Sequence, residues 1–190
     1  MKLPLRVFLK STPVYDLIMT DFENLESLAK RVVDGSFVAI APDYSWVPMA
    51  LIRELVKKNT RELSLLTVPI SGLAADILIG AGAVTSIETA AVTLGEVGVA
   101  PRFKEAVETG SLYVIDSTCP AIHTALQASE KGVPFMPLGG LVGSDLVKNR
   151  DDWRVVADPL DQGGNSIVLL PAIKPDVALF HSPKADKNGN

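Results

Sequence analysis

Short runs rich in apolar residues recur along the chain at Ser36–Ala41, Leu63–Val68, Ser86–Val92 and Leu112–Ile115. They do not alternate regularly between apolar and polar, so each predicts a strand covered on both faces. Between them lie segments of helical period. Leu25, Leu28, Ala29, Val32 and Val33 share one helical face, and Gly35 follows as a stop, which predicts a helix over 23–34. Pro48 suits a first helical turn and opens a helix at 49–58; Pro101 opens another, which Gly110 ends. A short helix is predicted over 74–79, and one over 120–131 stopped by Gly132. Strand and helix in turn mean α/β: an open, largely parallel sheet with helices on both faces. Three further β-type runs, 155–157, 167–170 and 177–180, allow antiparallel pairing near the C-terminal end. No repeat, low-complexity tract or linker marks a second domain. The reading is therefore an N-terminal extension or first strand over 1–24 and one domain over 25–190.

Composition narrows the function. Eighteen basic residues against 22 acidic leave no surplus for phosphate backbones, which argues against nucleic acid as a partner. A single Cys excludes an internal disulfide framework and suits a cytoplasmic location, and two distant His make a zinc site improbable. No metal is expected. The longest apolar stretch, Ile77 to Val84, has eight residues and two glycines, against roughly 20 needed to cross a bilayer, so no membrane partner is expected. The N-terminus lacks the continuous apolar core of a signal peptide.

Several chemical motifs reduce to structural readings. Gly80-Ala-Gly82 resembles the start of a dinucleotide fingerprint, but Thr85 stands at the third glycine position. Cys119 and His123, four residues apart, have no third group to orient them, and a half-buried Cys with an ordinary helix His is the simpler account. His181 reads as a structural hydrogen-bonder. What remains is three junctions rich in Gly and Pro, at 41–48, 78–83 and 135–145, read as lying where strands end. In α/β sheets that is where ligands bind, and glycines there let backbone N–H groups approach an anion. Tight turns are the alternative reading, and spacing alone does not choose between them.

Taken in order, the junctions resemble the alpha subunit of family I coenzyme A-transferases of the glutaconate and 3-oxoacid type. The resembling segments are Asp34-Gly35, Val47 to Leu55, Ala75 to Gly82, Gly98 to Gly110, Pro134 to Pro137, Gly143-Ser-Asp145 and Ala185 to Asn190. The resemblance implies an α/β chain that pairs with a beta subunit, with the active site between them. The implied reaction moves coenzyme A from an acyl thioester to a small carboxylic acid through a glutamyl thioester. No cofactor is bound permanently; the coenzyme A thioester is the substrate. The catalytic glutamate belongs to the beta subunit, within a Ser-Glu-Asn-Gly type motif absent from this chain. No catalytic residue is therefore expected here, and Glu96, in Gly95-Glu96-Val97-Gly98, is a weak candidate beside its reading as a capping or salt-bridging loop residue. The expected substrate and coenzyme A contacts are Pro42, Asp43, Tyr44, Ser45, Trp46, Gly80, Gly82, Gly98, Phe135, Met136, Gly143 and Ser144.

The chain departs from the pattern in two places. Ala41-Pro42-Asp43 stands where the family usually has Gly-Gly-Phe, and Trp46 where an Arg often precedes Val-Pro. Pro42 removes a backbone donor, and Asp43 brings negative charge to a loop expected to face an anion. Relatives also continue past the Asp-x-x-Gly-Asn stretch, so the domain reads as C-terminally incomplete. The alternatives to the transferase are an acyl-CoA hydrolase or hydratase-like derivative, and an assembly protein without turnover.

Overall fold

A computed structural model describes residues 22–186, together with the backbone of residues 5–9. The chain runs β1 (Leu5–Leu9), α1 (Leu25–Arg31), β2 (Phe37–Ile40), α2 (Met49–Lys57), β3 (Leu63–Thr67), β4 (Ile70–Ser71), α3 (Leu73–Gly80), β5 (Val84–Thr89) and β6 (Ala91–Val92). A 3-10 turn (Gly95–Val97) and α4 (Pro101–Glu108) lead to β7 (Tyr113–Asp116), α5 (Cys119–Glu130) and β8 (Phe135–Leu138). Then come α6 (Asp145–Lys148), β9 (Arg154–Ala157), β10 (Ser166–Pro171) and β11 (Val177–His181). The described residues form two compact units: 5–9 and 22–115 with 175–186, and Asp116–Lys174.

The first unit holds a sheet ordered β1-β11-β2-β3-β5-β7. β11, β2, β3 and β5 are parallel, and β1 pairs antiparallel with β11. Leu5–Leu9 is thus a strand of the main sheet, the second of the two readings offered for the N-terminus. Helices α1 to α4 pack one against the next. Their apolar stripes meet Val38, Ile40, Leu63, Leu65 and Ile87 of the sheet in one core, where Leu51, Ile52, Leu55 and Leu78 are fully buried. A Leu or Ile side chain buried to that degree contributes about 1.5–3 kcal/mol over leaving it in water.

Helix starts agree with their sequence signals. Asn24 caps α1, accepting from the Ser27 N–H at 2.9 Å, and Thr118 caps α5 through Ala121 N at 3.2 Å. Pro101 and Pro120 occupy first-turn positions of α4 and α5. One predicted strand, 86–92, divides into β5 and β6. The Thr89 hydroxyl accepts from the Ala91 N–H at 3.0 Å and donates to the Ala91 carbonyl at 2.8 Å, which turns the chain after β5. β6 then pairs with β4 as a separate two-stranded ribbon.

The second unit is a three-stranded antiparallel sheet, β8-β10-β9, with α5 packed on it. Ala121, Leu141, Trp153, Val168 and Leu170 form its small core. β8 corrects the reading of 135–145 as one continuous junction. Pro137 within that run suggested a loop, but β8 is an edge strand, where a missing backbone donor is tolerated.

Candidate functional site

Ligands of parallel sheets collect beyond the carboxyl ends of the strands. In the first unit that edge carries the segments after β2 (41–48), β3 (68–72) and β5 (90–100), and the end of β11 at His181. Three of these segments are tied together. The Thr93 N–H donates to the Ser71 carbonyl at 2.9 Å, and Thr93 bridges Val99 across the 3-10 turn. The Leu73 N–H, first in α3, donates to Asp43 Oδ2 at 3.0 Å.

That last bond revises the expectation for Asp43. Its carboxylate does not stand free in the loop; it caps α3, whose own N-cap, Gly72, has no side chain to offer. Gly72 is also where the chain passes most tightly: a Cβ there would lie 2.2 Å from Asp43 Oδ2 and 2.3 Å from the Thr93 carbonyl oxygen. The charge that looked unfavourable for an anionic ligand is matched to a helix N-terminus.

Behind the loops lies a buried hydroxyl pair. Thr67, at the end of β3, donates to the Thr89 hydroxyl at the end of β5 at 2.6 Å, with the Pro69 carbonyl at 2.8 Å, beside the cis Val68–Pro69 bond, as the other acceptor within its reach. The buried Ser71 hydroxyl adjoins this pair in sequence and has no hydrogen-bond partner among the described residues. Glu88, the residue before Thr89, is buried and engaged within the protein. None of these polar residues was singled out from sequence; serines and threonines at strand ends give no signal until the topology places them.

Trp46 closes the first loop. Its backbone is left-handed at φ 56°, and its carbonyl accepts from the His181 N–H at 2.8 Å. The two rings stack with centroids 5.9 Å apart and planes 20° from parallel. The bond uses the His181 backbone; its imidazole, read from sequence as a structural hydrogen-bonder, is here the aromatic neighbour of Trp46. Pro42, Tyr44 and Ser45 complete the turn, with the Ser45 N–H donating to the Pro42 carbonyl at 2.8 Å. Gly98 closes the 3-10 turn, its carbonyl accepting from Leu94 N at 2.8 Å. Glu96 is exposed on that same turn.

Other expected contacts lie elsewhere. Gly80 and Gly82 do not follow a strand. Gly80 is the last residue of α3 and Gly82 its left-handed stop at φ 67°, with Val84 of β5 just beyond. They therefore sit at the amino edge of the sheet, opposite the loops above. Gly80 makes room for Arg102, whose side chain would lie 2.8 Å from a Cβ at that position. The nearby Asp76, buried within α3, accepts from the N–H groups of Arg102 at 2.8 Å and Phe103 at 3.0 Å and so caps α4. The run Ala75 to Gly82 has a packing and capping role that needs no ligand.

In the second unit, Phe135 and Met136 are neighbours in β8 and face opposite sides of the sheet. Met136 pairs with Leu170 on the covered side; Phe135 pairs with Pro171 on the other. Gly143 is a left-handed turn residue at φ 84°, and Ser144, before α6, keeps a buried hydroxyl without a partner among the described residues. His123 is exposed on α5, while Cys119, half-buried, is its first residue. No group of three or more His, Cys, Asp or Glu residues is arranged to hold a metal among the described residues, and no helix there is long and apolar enough to cross a membrane. Residues 187–190, which close the last resembling segment, fall outside the described residues.

Known proteins share both the sequence pattern and the fold. The coenzyme A transferase family profile matches residues 22–190. The alpha-type chain of 3-oxoadipate CoA-transferase from Pseudomonas knackmussii is 29% identical over 168 residues, covering 87% of this chain and 58% of that protein. The IpdA chain of the cholesterol ring-cleaving hydrolase of Rhodococcus jostii is 31% identical over 75% of this chain and 49% of its own length. Among solved structures, glutaconate coenzyme A-transferase from Acidaminococcus fermentans superposes with a TM-score of 0.75 at 25% identity, over 88% of this chain and 58% of that one. The decarboxylase AibA/AibB gives 0.73 at 31% identity, over 85% and 62%. The chain thus spans about half to three-fifths of the length of these relatives.

Proposed function

Because the chain belongs to the coenzyme A transferase family, we propose that it acts as the alpha-type subunit of an acyl-CoA:carboxylate CoA-transferase. In this reading the chain supplies one wall of the active site and a beta-type chain supplies the nucleophile. A glutamate carboxylate of that partner attacks the thioester carbonyl and expels the coenzyme A thiolate, leaving a mixed anhydride. The thiolate attacks the glutamyl carbonyl, which releases the first carboxylate and leaves coenzyme A on the glutamate. The acceptor carboxylate then runs the two steps in reverse. One thioester replaces another, so no external energy source enters, and one hard exchange becomes two easier ones.

The observation that carries this division of labour is the state of the carboxylates at the carboxyl edge. Asp43 is committed to α3, Glu88 is buried and engaged, and Glu96 stands exposed on a turn bounded by two left-handed glycines. A nucleophile must be held in one orientation with its carboxylate free to attack: Asp43 and Glu88 are already committed to other groups, and Glu96 is not enclosed. The test is to reconstitute the chain with a beta-type partner, incubate with acyl-CoA, trap the intermediate by borohydride reduction and locate the label by mass spectrometry. The label is expected on the partner, and Glu96→Gln should cost less than tenfold in kcat, about 1.4 kcal/mol of barrier or less. A label on Glu96 would make this chain the catalytic one.

A hydrolase or decarboxylase is the second reading, favoured by the names of the IpdA and AibA/AibB relatives. The same incubation separates the two. Coenzyme A released without a carboxylate acceptor marks thioester hydrolysis, gain of one water with the thioester intact marks ring cleavage, and loss of carbon dioxide marks decarboxylation.

A further inference from the structure

The segments after β2, β3 and β5 (41–48, 68–72 and 90–100) contain no Lys or Arg. The nearest cation in sequence beyond β11 is Lys184, exposed three residues past His181. What these segments do present is apolar and aromatic: Tyr44 is 79% exposed, Trp46 62% and Val97 83%, with Leu73 and Val99 also exposed. From this juxtaposition we infer that the Trp46–His181 stack is the wall against which the acyl group lies, and that the site selects a planar acyl group, aryl or conjugated, without a second carboxylate. The inference rests on the coenzyme A reading above and names its substrate class.

Three observations support it. A left-handed backbone on a bulky side chain costs about 1–2 kcal/mol, and such conformations gather where function holds them. At Trp46 the conformation is fixed by the bond from the His181 N–H, which ties the loop after β2 to the end of β11. The stack covers one region of the indole, while most of the side chain stays open to solvent. A planar group laid on it gains stacking and apolar burial together. A second carboxylate brought to these loops would instead lose its hydration with no cation from them to replace it.

The chain has two tryptophans, and Trp153 is buried beneath Arg150, so Trp46 is the one a ligand at this edge can reach. Tryptophan fluorescence should be titrated with benzoyl-CoA, glutaryl-CoA and free coenzyme A. Benzoyl-CoA is expected to quench and to bind at least tenfold more tightly than glutaryl-CoA. Trp46→Ala should abolish that preference while leaving the affinity for free coenzyme A within about twofold, and Trp46→Gly, which suits the left-handed backbone, repeats the test should the alanine variant fold poorly. Lys184→Ala should leave the preference unchanged. Equal or tighter binding of glutaryl-CoA, or a preference that survives both Trp46 variants, overturns the inference. If the chain reconstituted with a beta-type partner binds neither free coenzyme A nor any thioester, followed by isothermal calorimetry, the coenzyme A reading fails as well.

Discussion

The two edges of the parallel sheet use the same residue types for different ends. At the amino edge, Gly82 stops α3 at φ 67° and Gly35 turns the chain into β2 at φ 79°, both with open space where a Cβ would go. Helix α1 itself ends earlier than the predicted 34, at Arg31 with the extended Val32 as its cap. At the carboxyl edge, Gly72 has φ −135° and no space at all, because Asp43 and the Thr93 carbonyl fill it. One edge is punctuation between helix and strand. The other is a packed assembly in which side chains from one loop satisfy the backbone of the next. A glycine count cannot tell these apart; the direction of the neighbouring strand can.

Substitutions at the glycines break this comparison most sharply. Gly72→Ala should destabilise the protein by about 3 kcal/mol, the upper range for overpacking, since the atoms it strikes include a backbone carbonyl that cannot swing away. Gly82→Ala meets only the left-handed penalty, about 1 kcal/mol. Urea unfolding of both variants gives the comparison, and equal losses would erase the distinction between the edges. Asp76→Ala comes next: it leaves two N–H groups of α4 without their acceptor and should cost about 2 kcal/mol. Asp43→Ala removes a single cap bond from a more exposed place, for about 1 kcal/mol.

How much of this was legible in the sequence follows from range. Pro48 and Pro101 announce their helices because the signal and the structure it sets are a residue apart. Asp43 caps a helix that begins thirty residues later, and Asp76 caps one more than twenty-five residues on; no local pattern encodes either. Gly80 and Gly82 follow a helix predicted over 74–79 and precede a strand predicted over 86–92, so their place at the amino edge was legible; grouping 78–83 with the junctions at strand ends set that order aside. β8 was hidden by Pro137, acceptable only because pairing with β10 makes it an edge. Within it, the alternation that separates Phe135 from Met136 needed the strand to be known first.

The smallest expected effect lies in the second unit and depends on pH. Arg150 grips Asp152 with two bonds of 2.8 Å and lies over the Trp153 ring at 4.4 Å. The hydrogen bonds from Arg150 hold the Asp152 carboxyl below its ordinary value of 3.8. A pKa depressed on folding means that the stabilisation is present above the ordinary value and is lost as pH falls through the lower, folded one. Asp152 is about half exposed, so the pair contributes only about 0.5–1 kcal/mol. Asp152→Asn should remove that much at pH 7 and progressively less as pH falls below 3.8, vanishing once the folded carboxyl is protonated, measured by thermal melts across the range; a loss that persists in acid would place its cause outside the ion pair.

The central claim is that the carboxyl edge, and not the glycine-marked amino edge, is where the ligand sits. Hydrogen–deuterium exchange of the chain with and without saturating acetyl-CoA tests it directly. The account predicts slowed exchange in residues 41–48, 69–73 and 93–99, with 34–36, 59–62 and 80–83 unchanged. Protection centred on 80–83, with none at 41–48, would contradict it.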